Sequence, residues 1–188
     1  MGDAWKNAER KVAKILGRWS CNDENALRRM PLQGRMMEEY LGDIIVNETA
    51  SESVRKSAAE FLNLFMIDVK RRVGQNCGST GWHIEQLLTC PKHQIIQWWL
   101  KLSTAATKYN KFPILIFTKG DRNWFIAHSL PLHKSTLANC GNYLVIELVS
   151  LSATLFVMEL GHFIEYTNWH DLLTEVKDGL LRQKSPGG

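Results

Sequence analysis

At 188 residues and 45% hydrophobic, the chain can bury a sizeable core, and one domain over residues 1–184 with a short flexible tail, 185–188, is the economical reading. A formal charge of +4 and a pI of about 8.9 suit a polyanionic partner but are too mild to require one, so any anion-binding surface has to arise from clustering in the fold. The opening Met1-Gly2-Asp3-Ala4-Trp5-Lys6 leads into an amphipathic helix rather than an apolar leader, and the most hydrophobic stretch, Tyr143 to Leu160, is broken by Glu147, Ser150, Ser152, Thr154 and Glu159, which excludes a membrane span.

In chain order, the spacing of Trp5, Ala8, Val12, Ile15 and Leu16 predicts a helix over 3–16, with Glu9 at the border of its apolar stripe. Residues 20–35 are polar and contain Pro31 and Gly34, so they read as a loop with a helical turn. Residues 41–46 read as a strand with Asp43 inside it, and the polar segment 47–60 as an insertion with a short helix. Phe65-Met66-Ile67-Asp68-Val69-Lys70 is a second strand, and 74–81 a flexible loop. Pro91 opens a helix at its first position, followed at helical spacing by Ile95, Trp99, Leu102, Ala106 and Tyr109. Residues 113–117 and 124–127 make a hairpin around Lys119-Gly120-Asp121-Arg122, and 143–160 holds two strands. Asn168 caps a final helix carrying Leu172, Leu173 and Val176.

Chemistry concentrates on the two acidic strands. Residues two apart in a strand share a face, so Asp68 and Lys70 project together while Phe65, Ile67 and Val69 pack on the other side. Asp43 alternates with Ile44 and Val46 and can stand beside Asp68. Two carboxylates brought together repel unless a cation lies between them, and hard oxygen ligands suit Mg²⁺ or Mn²⁺. The Lys70 ammonium can orient an attacking water and stabilise charge developing on a phosphate.

Gly42-Asp43-Ile44 and Ile67-Asp68-Val69-Lys70, preceded by Glu9 in Ala8-Glu9-Arg10-Lys11 and followed by a helix with paired tryptophans and by Lys111-Phe112-Pro113-Ile114-Leu115-Ile116-Phe117, resemble the motifs of the PD-(D/E)xK nuclease superfamily, and within it the phage and archaeal Holliday-junction resolvases. The likeness spans roughly residues 5–128, with Gly42 where the motif name has proline and Asp68 where glutamate is commoner. The resemblance implies an α/β restriction-endonuclease-like core, with a mixed, mainly antiparallel central sheet flanked by helices. It also implies Mg²⁺-dependent hydrolysis of DNA to a 5′-phosphate and a 3′-hydroxyl. Asp43, Asp68, Lys70 and Glu9 are then the catalytic set; Asp43, Asp68, the Val69 carbonyl and Glu9 the metal set; and Arg28, Arg29, Arg35, Arg71 and Arg72 the candidate DNA contacts. Branched or four-way DNA as substrate, a homodimer and a cytoplasmic setting follow from the same resemblance. A general or restriction-type endonuclease, or a non-catalytic DNA- or protein-binding module, is the alternative on the same fold.

Other features carry less. Cys21, Cys77, Cys90 and Cys140 form no CxxC pair, which suits reduced thiols, and Cys90 with His93 lacks the rest of a zinc set, so no zinc is expected. Trp98 and Trp99 can stack bases, although core packing suits Trp99 and a partner interface suits Trp98. His170-Asp171 has no upstream histidines to complete a phosphohydrolase site, and Gln86 and Gln97 read as solvated helix residues.

Overall fold

The computed structural model describes residues 3–31, 42–71, 93–118, 123–148 and 153–184, with side chains from 4 to 178. The first helix, α1 (Asp3–Cys21), buries Ala8, Val12, Ala13 and Leu16 along one stripe. It runs five residues past the expected end because Gly17 does not stop it. That glycine permits a close approach instead, since a Cβ there would lie 2.6 Å from the Asp23 carbonyl oxygen. The helix ends at Asn22, whose left-handed φ of 53° turns the chain back.

The expected loop over 20–35 holds a strand, β1 (Leu27–Arg29), paired antiparallel with β2 (Ile44–Val46). Three residues with two arginines carry no readable alternation, so β1 exists through its partner rather than its own pattern. The expected strand over 41–46 is correspondingly shorter, and Asp43 immediately precedes it. Ser51 caps α2 (Glu52–Leu64), which continues past the expected insertion and drives Phe61 into the main core. Phe61 there meets Trp19, Phe65 and Trp169 with ring centroids 5.0–6.1 Å apart.

The five-stranded sheet has the order β3 (Phe65–Arg71), β4 (Phe112–Thr118), β5 (Trp124–His128), β7 (Ala153–Glu159), β6 (Tyr143–Leu148). Only β3 and β4 run parallel; every other pairing in this sheet is antiparallel, giving the mixed, mainly antiparallel architecture expected. A parallel pair needs a crossover, and α3 (Gln94–Lys108) lies within it. Pro91 lies outside the described residues; the described start of α3 is capped by His93, whose Nδ1 accepts from the Ile95 amide at 3.3 Å.

Alternation splits the core across the sheet. Phe65, Ile67, Val69, Ile114 and Ile116 pack with α1 and α2, whereas Met66, Leu115 and Phe117 pack with Ile95, Trp99, Leu102 and Ala106 of α3. Two short helices, α4 (Lys134–Asn139) and α5 (Leu160–Tyr166), were not expected, because neither has enough turns to show a period. The last helix, α6 (Trp169–Lys184), starts where expected, with Asn168 Oδ1 accepting from the His170 amide at 2.8 Å. Among the described residues, no helix is long and apolar enough to cross a membrane.

Candidate active site

The site forms where the two-stranded β1–β2 unit meets the outer edge of β3. Asp43 makes the junction with its backbone: its carbonyl accepts from the Met30 amide and its amide donates to the Ile67 carbonyl, both at 2.8 Å. Gly42 makes that crossing possible. It has a φ of +92°, and a Cβ on it would lie 2.7 Å from the Ile67 oxygen, so only glycine fits without displacing β3.

The side chains then converge. Asp43 Oδ2 accepts from the Val69 amide at 2.7 Å and stands 3.8 Å from Lys70 Nζ. Lys70 Nζ lies 2.7 Å from Asp68 Oδ1, on the face of β3 that the strand period assigns to both. In an extended strand the N–H and C=O of one residue point to the same edge, so the Val69 carbonyl lies along the edge that Asp43 flanks. Glu9 approaches from α1, with its carboxylate 3.5 Å from Arg29 Nε. Arg29 is itself fixed by donating to the Met30 carbonyl at 2.7 Å and by lying 5.4 Å from the centre of the Trp5 ring.

Burial and mutual repulsion make this a poor place for unscreened negative charge. Loss of hydration raises Asp43 to about 8, aided by the neighbouring Asp68 and opposed by Lys70 and by the Val69 amide. Loss of hydration also raises Glu9 to about 7, against the opposing influence of Arg29 and Lys70. Carboxyls held in this condition favour an added cation. Among the described residues no three His, Cys, Asp or Glu side chains form a ready metal cage. The donor set is nevertheless right for Mg²⁺, which takes one or two carboxylates and keeps several waters. Asp43, Asp68 and the Val69 carbonyl fit that description, with Glu9 tied to Arg29 behind them.

A cavity of about 320 Å³ opens on the α3 side of β3, lined by Asp68, Lys70, Trp98, Lys101 and Leu102. Lys101 was not singled out from the sequence. The signal was its spacing from Trp98, because residues three apart share one helix face.

A model of the family described as phage putative PDDEXK endonuclease matches residues 6–168, which takes in Glu9, both acidic motifs, α3 and the whole five-stranded sheet. The chain belongs to this family. No curated protein and no solved structure matches it. As a PD-(D/E)xK nuclease, it keeps its two acids and its lysine together on β3 and the segment leading into β2. The arginines expected at DNA are distributed differently. Arg28 pairs with Glu48 at 3.4 Å, Arg29 is turned inward onto Glu9 with 13% of its side chain accessible, and Arg71 is half-buried at the end of β3. Arg35 and Arg72 lie outside the described residues, as do Cys77, Cys90 and Gln86.

Proposed function

We propose that this nuclease is a Mg²⁺-dependent DNA endonuclease acting on branched DNA, with a four-way junction as its preferred substrate and Mn²⁺ as a workable substitute. The observation that carries the reading is the convergence of Asp43 and Asp68 on Lys70, whose Nζ lies 3.8 Å from the first carboxylate and 2.7 Å from the second. A buried Asp68, a half-buried Asp43 and an ammonium so arranged serve no packing purpose, since apolar side chains would fill the same space without the loss of hydration.

Asp43, Asp68 and the Val69 carbonyl would hold the ion, with Glu9 bearing on them from α1. When bound, Mg²⁺ polarises the phosphodiester and stabilises the charge that develops on it. Lys70 would position the attacking water and help to stabilise that charge. The water oxygen bonds to phosphorus as the bond to the 3′ oxygen breaks in line with it, and the proton that the water gives up balances the one that the departing oxygen takes. The products are a 5′-phosphate and a 3′-hydroxyl. A junction presents two symmetric strands, so a homodimer in the cytoplasm of a bacterial or phage-infected cell suits the task.

The test is Mg²⁺-dependent cleavage of labelled four-way junction, flap, linear duplex and single-stranded DNA, with Asp68→Ala as control. Paired symmetric nicks on the junction that vanish in Asp68→Ala are expected. Cleavage by a folded Asp68→Ala protein at the parent rate would refute the assignment of the site. Equal cutting of linear duplex would replace junction selectivity with general endonuclease activity.

A further inference from the structure

Along α3, Trp99 and Leu102 are buried against the sheet, whereas Trp98 is only partly buried and lines the cavity beside the acidic site. Lys101, exposed and three residues on, lines the same cavity. Among the described residues no carboxylate pairs with Lys101. The cavity thus offers an indole, a lysine with no carboxylate partner among the described residues, and Lys70 with Asp68. Its volume of about 320 Å³ sits at the small end of the ~300–1,000 Å³ range of ligand pockets. That is room for a single nucleotide and far too little for a duplex.

We infer that this cavity receives one unpaired nucleotide of the DNA next to the scissile bond, its base against Trp98 and its phosphates between Lys70 and Lys101. A base can lie on an aromatic side chain only when it is out of its own stack. The site therefore selects strands at a branch, a fray or a flap over continuous duplex. Trp98 acts here as a specificity residue and Lys101 as a phosphate-binding one. The inference rests on the nuclease reading above and narrows its substrate.

The experiment is fluorescence anisotropy in EDTA, where no cleavage occurs, with a labelled single strand and the same strand annealed to its complement, at several salt concentrations. Trp98→Ala should weaken single-strand binding about 5- to 150-fold, the range for one stacked base, and leave duplex binding within about twofold. Trp98→Phe should keep most of the affinity. Lys101→Gln, at an exposed position that cannot unfold the protein, should flatten the dependence of log affinity on log salt by roughly 0.7 for the single strand, the share of one phosphate contact. A Trp98→Ala protein with parental melting that binds the single strand as the parent does, or loses duplex binding equally, would overturn the inference. So would an unchanged salt slope in Lys101→Gln, which decides the matter if Trp98→Ala does not fold. Because binding is read without metal, either failure can accompany normal Mg²⁺-dependent cleavage that Asp68→Ala abolishes, which would leave the nuclease reading intact. RNA bound as tightly as DNA by the same residues would also overturn the DNA assignment.

Discussion

Raising the pH should tighten Mg²⁺ binding steeply, because the cation and a proton compete for Asp43. With its carboxyl at about 8, roughly nine in ten Asp43 side chains carry a proton at pH 7 and about one in ten at pH 9. Affinity for Mg²⁺ or Mn²⁺ should therefore climb about tenfold per pH unit below about pH 8 and then level, a change of roughly a hundredfold between pH 6 and pH 9. Titration calorimetry at pH 7 in two buffers of different ionisation heat should count about one proton released per ion bound. Asp43→Asn should remove most of that release, leaving at most the share of Glu9. The metal-free fold should respond with the opposite sign. A carboxyl raised from 3.8 to about 8 binds its proton more tightly folded than unfolded, so its stabilisation is complete below about pH 3.8 and is lost as pH rises through about 8. Glu9, raised from 4.5 to about 7, acts in the same direction over a narrower window. Urea midpoints measured without metal should thus fall across this range more steeply in the parent than in Asp43→Asn. A metal affinity independent of pH, with no proton released at pH 7, would show Asp43 to be already ionised and would refute the burial argument.

Gly42→Ala should cost about 1–3 kcal/mol of stability by urea unfolding and most of the cleavage rate, since its Cβ would lie 2.7 Å from the Ile67 oxygen at a φ of +92°; parental stability would contradict the assigned backbone path. Phe61→Ala should cost ~3–5 kcal/mol in the same assay, because the ring is wholly buried among Trp19, Phe65 and Trp169. Arg29→Gln removes the largest influence holding Glu9 down, so carbon-13 NMR of the Glu9 carboxyl should show its titration moving above about 7. An unmoved titration would mean that the Glu9–Arg29 pair is not formed in solution.

The strands of the large sheet are readable because their neighbours are sequence-independent requirements. Met66–Ile67 and Ile114–Phe117 are buried on both sides and appear as continuous apolar runs whichever strand they pair with. Asp68 and Lys70 are equally legible, since an ionisable pair within such a run has no packing reason to be there. What could not be read depends on tertiary partners. Leu27–Arg29 is a strand only because Ile44–Val46 lies beside it, and Arg29 turns inward only because Glu9 and Trp5 await it. The helix over 160–166 makes only about two turns, too few to show a helical period, so nothing local marks it after the end of β7. Apart from its spacing from Trp98, Lys101 carries no local signal, because only the packing of α3 against the sheet brings it to the cavity that Asp68 and Lys70 line.

The positive φ of Gly42 bears on how this chain relates to the motif it shares. A proline is confined to a φ near −65°, on the opposite side of conformational space from +92°. Glycine and proline at this position are therefore not a degraded and an intact version of one turn. They are two routes by which a chain can enter its acidic strand, and no single substitution converts one into the other without a strained intermediate. A lineage that took the glycine route is held to it by the Ile67 carbonyl, while the acid that follows remains where the chemistry needs it.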